Sequence, residues 1–207
     1  MFRRSWLPVG LLAVIPLSAA CTIELSPAAV VGDGTVTGAL KVFAPAPPAG
    51  LVVALSSSNP SAQVSPHVTI PAGQSTAAFA IATSPVSTST RAVITAANAD
   101  CSATAGITVH PAVLAGLSLS DTTSTGNAGL SGAVTLNGPA PSSGAIVKLQ
   151  SSDLLVTVPA FVKIPAGETS ASFALATGQS LRRNSVAVTA TYGASVQTAL
   201  LNVLPGI

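Results

Sequence analysis

Apolar residues alternate with small polar ones along most of the chain, and alternation of period two is the mark of half-buried β-strands. In the first half it runs through Ile23/Leu25, Val36/Leu40/Val42, Leu51/Val53/Leu55, Val64 with Val68/Ile70, Ala77/Phe79/Ile81, Ala92/Ile94/Ala96 and Ala105/Ile107/Val109. In the second half it runs through Leu117/Leu119, Leu130/Val134/Leu136, Ala145/Val147/Leu149, Val158 with Val162/Ile164, Ala171/Phe173/Leu175, Val186/Val188/Ala190 and Ala199/Leu201/Val203. Turn-forming clusters separate the runs: Gly32-Asp33-Gly34, Pro45 to Gly50, Ser58-Asn59-Pro60, Ala72-Gly73, Ser84-Pro85 and Asn98-Ala99-Asp100. Each half therefore predicts seven strands. A slip of one residue would turn every apolar side chain to solvent, so the shared phase predicts one fold used twice.

Direct alignment supports the duplication. Residues 23–111 match 117–205 at a constant offset of 94 without a gap, and 30 of the 89 pairs are identical. The strongest block, Ile70-Pro71-Ala72-Gly73 through Ala77, Phe79, Ala80, Ala82 and Thr83, returns as Ile164-Pro165-Ala166-Gly167 through Ala171, Phe173, Ala174, Ala176 and Thr177. Pro45-Ala46-Pro47 with Gly50 returns as Pro139-Ala140-Pro141 with Gly144. Seven short strands in roughly ninety residues is the spacing of an immunoglobulin-like sandwich. The expected fold is all-β: two tandem immunoglobulin-like seven-stranded β-sandwiches at 21–111 and 117–207, joined by a connector at 112–116 and stacked end to end as a short rod.

These blocks, with L-x-S-S and the closing V-x-P, resemble the bacterial immunoglobulin-like repeats of surface and secreted proteins. Fibronectin type III modules and the stalk repeats of invasin-type adhesins are similar in kind. The resemblance covers nearly all of 21–207 and implies a spacer, stalk or adhesive module. The chain departs from antibody-type domains in having no core Trp (Trp6 lies near the start) and no paired core cysteines of their kind.

The first twenty residues read differently. Arg3 and Arg4 precede an apolar run from Trp6 to Leu17, followed by the small residues Ser18-Ala19-Ala20. That is the layout of a secretory signal, and the run is shorter than the roughly twenty residues that span a bilayer. Export is therefore expected. Removing 1–20 also removes the formal net charge of +2. The remaining Lys41, Arg91, Lys148, Lys163, Arg182 and Arg183 balance Glu24, Asp33, Asp100, Asp121, Asp153 and Glu168. No clustered cations with stacking aromatics point to nucleic acid.

Little in the sequence could do chemistry, and no enzymatic activity, metal or cofactor is expected. His67 and His110 occupy positions that are Phe161 and Leu204 in the second copy, and read as surface or interface substitutions. The carboxylates are scattered through turns, and no calcium, zinc or hydrolase motif occurs.

Cys21 and Cys101 have two mutually exclusive readings, besides that of unpaired thiols. Leu17-Ser18-Ala19-Ala20-Cys21 resembles a bacterial lipobox, with Leu17 displaced by one position, which implies lipidation of Cys21 as the first mature residue and a membrane partner through that lipid. The alternative is a Cys21–Cys101 disulfide, because the start of the first strand and the turn between the last two lie at the same end of a sandwich. Lipidation is the first expectation. It would place the chain at the outer membrane or cell surface, whereas the disulfide form would be periplasmic or secreted.

The expected function is that of an exported cell-envelope structural or interaction protein. The alternative is a glycan- or protein-binding module with a site at the tip of the second repeat, where Leu154, Leu155, Leu181, Arg182 and Arg183 could form a contact patch. Against the patch stands the simpler expectation that Leu154 and Leu155 tuck under their loop as a small satellite core. Phe43 and Tyr192 are the remaining aromatic candidates.

Overall fold

The computed structural model describes residues 21–99 and 101–206, so the expected signal segment 1–20 lies outside the described residues. Every regular element among them is a strand. The first repeat contains β1 (Cys21–Ser26), β2 (Ala29–Val31), β3 (Gly34–Val42), β4 (Leu51–Ser57), β5 (Ala62–Val64), β6 (His67–Ile70), β7 (Thr76–Thr83), β8 (Thr90–Ala97) and β9 (Ser102–His110). The second contains β10 (Leu114–Leu119), β11 (Thr123–Ser124), β12 (Gly129–Leu136), β13 (Ala145–Ser151), β14 (Val156–Thr157), β15 (Phe161–Ile164), β16 (Ser170–Thr177), β17 (Asn184–Tyr192) and β18 (Ser195–Val203).

Each repeat is a sandwich of a four-stranded and a five-stranded sheet. The orders are β1-β3-β7-β5 and β2-β9-β8-β4-β6 in the first, β10-β12-β16-β14 and β11-β18-β17-β13-β15 in the second. Both copies thus have the same immunoglobulin-like topology.

Each repeat has nine strand segments where alternation predicts seven, because two of the seven change sheets midway. The first run pairs with β3 as β1, then crosses to run parallel to β9 as β2. The Val64–Ile70 run pairs with β7 as β5, then with β4 as β6. Pro27 lies in the first crossing and Pro66 in the second. Proline has no N–H to continue a ladder, and at Pro66 the carbonyl instead accepts from Leu55 N–H at 2.8 Å. The apolar alternation survives the second crossing, from Val64 to Val68 and Ile70, since both sheets face one core, but it shifts by one residue at the first, where Ala29 is exposed and Val30 packs inward.

The predicted phase matches the burial throughout. Val36, Leu40, Val53, Ile70, Ile81, Ala92, Ile94 and Ile107 fill one core, and Val134, Val147, Ile164, Leu175, Val186, Val188 and Leu201 fill the other. One packing device is not legible in the alternation. Phe79 sits opposite Gly38 across the β3–β7 ladder, and Phe173 sits opposite Gly132 across β12–β16. A Cβ on either glycine would clash with ring carbons of its partner. Each Phe is buried because its neighbour has no side chain.

The boundary between repeats differs from the expected connector at 112–116. Leu114, Ala115 and Gly116 belong to β10, leaving Pro111, Ala112 and Val113 between the strands. Ala112 is buried in the second core. Val113 N–H donates to Asn137 Oδ1 at 2.8 Å and Val113 O accepts from Asn137 N–H at 3.0 Å. Across the joint, Val31 packs against the second core. Gly138 leaves room for it, since a Cβ there would approach Val31 Cγ1 to 2.9 Å. Gly32, with φ +63°, lies against Pro139, whose Cδ would be 3.0 Å from a Cβ. The repeats meet through fitted surfaces rather than a free tether.

Candidate contact site at the distal end of the second repeat

The end of each repeat farther from Cys21 is built by two neighbouring loops, one following β4 or β13 and one following β7 or β16. In the second repeat they are tied together by Gly178 N–H donating to Leu155 O at 2.7 Å. The first loop is a tight turn held from within. Ser151 Oγ donates to Asp153 O at 2.8 Å, and Leu155 N–H donates to Asp153 Oδ1 at 2.9 Å. Asp and Ser side chains that mimic backbone in this way fix such turns. The apex residue is Leu154, which is 99% exposed.

The second loop is pinned around Ser180. Its Oγ donates to Arg182 O at 2.7 Å and accepts from Arg182 N–H at 3.2 Å and from Asn184 Nδ2 at 2.6 Å. Leu181 stands at this apex, 96% exposed, followed by the exposed Arg182 and Arg183. The backbone arriving from β18 closes the same end, with Gly206 N–H donating to Ser180 O at 3.2 Å.

The expected satellite core is therefore absent at Leu154, which points fully into solvent; Leu155 alone is half-buried, close to Gly178. The reason is the turn itself. Its internal hydrogen bonds set the backbone without help from an apolar contact, so alternate residues point in and out. The structure brings Leu154, Leu181, Arg182 and Arg183 to one end of the repeat on ordered loops.

At the opposite end of the molecule, Cys21 and Cys101 form a disulfide with a Cα–Cα distance of 5.6 Å. A sulfur so bonded has no valence for an acyl-bearing thioether, so the two fates of Cys21 exclude each other. Phe43 is exposed near that end. Tyr192 is half-buried against the second core and lines a groove of about 330 Å³ at the joint, with Ser87, Pro111, Val113 and Ser195.

His67 and His110 are both exposed and lie on different strands, and Ser89 Oγ is 3.1 Å from His110 Nδ1. No cluster of three or more His, Cys, Asp or Glu side chains suited to a metal ion occurs among the described residues. A second apolar surface, the outer face of the five-stranded sheet in the second repeat, exposes Ile146, Phe161, Val196 and Leu200. Cross-strand pairing of Lys148 with Phe161 and of Lys163 with Ile146 breaks up that surface.

No family model matches the chain, and no curated protein matches it. Among solved structures it is similar to the D0-D1 domain of intimin, at 13% identity over 89% of this chain and 97% of that one, with a TM-score of 0.37. The D00-D0 domain of intimin is similar at 12% identity over 89% and 99% of the two chains, with a TM-score of 0.42. The Yersinia pseudotuberculosis adhesin InvE is similar at 10% identity over 90% of this chain and 59% of its own, with a TM-score of 0.39. Likeness at this level carries no functional weight.

Proposed function

We propose that the chain is an exported, non-enzymatic structural or adhesive module, a stiff two-repeat spacer of the cell envelope, closed at its first end by a disulfide rather than anchored there by lipid. The observation that carries this reading is the joint. Val31 seated over Gly138, Gly32 against Pro139 and Ala112 in the second core turn two small sandwiches into one extended unit. A catalytic domain would gather titratable groups in a cleft, whereas those described here are dispersed over loops and strand faces. The Cys21–Cys101 pair fits an oxidising compartment, in agreement with the signal-like 1–20. The resemblance of the repeat motifs to bacterial surface repeats points the same way.

Intact mass and cell fractionation of the protein from its host test the reading together. The expected product is an exported chain beginning near Cys21, two hydrogens lighter than the reduced sequence, with peptide mapping that links Cys21 to Cys101. An acylated Cys21 would restore the lipid anchor, and a cytosolic chain with both thiols free would overturn the proposal.

A further inference from the structure

Internal duplication supplies a control for every residue of the distal end. At an offset of 94, Pro60 corresponds to Leu154, Ser87 to Leu181, Thr88 to Arg182 and Ser89 to Arg183. The turn around Leu154 exists in the first repeat with the same bonds. Ser57 Oγ donates to Asn59 O at 3.0 Å and Ser61 N–H to Asn59 Oδ1 at 2.9 Å. Building the turn therefore requires neither leucine nor arginine. Folding gains nothing from Leu154 or Leu181, which bury almost no surface. Yet both stand at the apices of hydrogen-bonded loops, at the same end of the repeat as the exposed Arg182 and Arg183.

We propose that this end of the second repeat is a contact site for an anionic lipid surface, with Leu154 and Leu181 entering the headgroup region and Arg182 and Arg183 meeting lipid phosphates. Protruding apolar apices with cations alongside are what an interface of mobile lipids accepts, because it needs no preformed pocket. A protein partner would have to offer two matched cavities at the same spacing. Asp153, the acidic residue of the same loop, has its Oδ1 engaged by Leu155 N–H within the turn. The contact is independent of the disulfide, which lies at the other end, and the spacer reading stands whether or not this tip meets lipid.

The test is flotation of the full exported chain (21–207, disulfide intact) with phosphatidylcholine vesicles and with vesicles containing phosphatidylglycerol. Retention is expected on the anionic vesicles only, decreasing as salt is raised. The L154S/L181S double variant should bind about tenfold less, and R182E/R183E should lose the preference for anionic lipid. Both should keep the melting temperature of the parent, since none of these side chains is packed; Pro60→Leu in the first repeat serves as an apolar control and should add no binding. Absence of retention on anionic vesicles, or retention unchanged in both double variants, overturns the proposal. Capture of a purified acidic protein by the tip, with no vesicle binding, would also overturn it and assign the surface to a protein partner.

Discussion

Asn59 and Asp153 hold the same turn at the far ends of the two repeats, each accepting a backbone N–H two residues on through its side-chain oxygen. The next loop also closes in the same way, Ser84 N–H donating to Ser61 O and Gly178 N–H to Leu155 O. The backbones agree and the side chains do not. In the first repeat Pro60 tops the turn and Ser61 is buried, its Oγ without a hydrogen-bond partner. In the second, Leu154 tops it and the larger Leu155 takes the buried position in part. The ends also differ in what they meet. The first repeat presents Val31 and Gly32 to Gly138 and Pro139, whereas in the second repeat Thr125 stands in place of the valine and only the glycine, Gly126, is kept. On the receiving side, Gly138 corresponds to Ala44. The joint is thus written into one particular pair of ends and is not a generic property of the repeat.

The largest effects should come from the features the two repeats share. Phe79→Ala and Phe173→Ala should each cost about 3–5 kcal/mol, because each ring lies over a glycine and its removal leaves a cavity no neighbour can fill. Calorimetry should show the loss concentrated in the repeat that carries the change; equal loss in both would mean the two sandwiches unfold as one.

Reduction of the disulfide separates the repeats next. Cys21 and Cys101 are 80 residues apart in sequence, and disulfides typically contribute about 2–4 kcal/mol, more for long loops such as this one, through the unfolded chain. Denaturant melts with and without reductant should destabilise the first repeat only, since Ala115 and Ser195 stand at the matching positions of the second.

The joint comes third. Gly138→Val should force Val31 off its seat, at about 1–3 kcal/mol as an overpacked contact. Small-angle scattering would register a more flexible pair, and protease would begin to cut at 111–113. In the parent, the burial of Ala112 and the Val113–Asn137 bonds should make that segment resistant.

The smallest effect lies in the buried Ser61. Ser61→Ala should leave stability unchanged or raise it by about 1 kcal/mol, because it removes a hydroxyl that is out of water and unpaired. A clear loss on thermal unfolding would show that the hydroxyl is satisfied in solution, and the contrast with Leu155 would lose its meaning.

Alternation and the 94-residue repeat determined the strand positions, the inward-facing set and the duplication, since burial on one face of a strand imposes a period of two that any reader of the chain can detect. The same pattern could not show where a strand leaves one sheet for the other. At Pro66 the apolar phase continues across the break from Val64 to Val68, because both sheets line one core, whereas past Pro27 it shifts by one residue to Val30. It also could not show that Gly38 and Gly132 make room for phenylalanines some forty residues away; a glycine reads as a turn until its cross-strand partner is known. The two cysteines were visible with two fates, and their Cα–Cα distance of 5.6 Å was decided by the approach of β1 to the turn before β9. Whether Leu154 faced inward or outward was decided by Asp153 and Ser151, whose hydrogen bonds close the turn and leave the leucine at its apex. Local pattern is set by one element and its solvent, whereas crossings, cross-strand vacancies and loop apices depend on which distant residues the packed sandwich brings alongside.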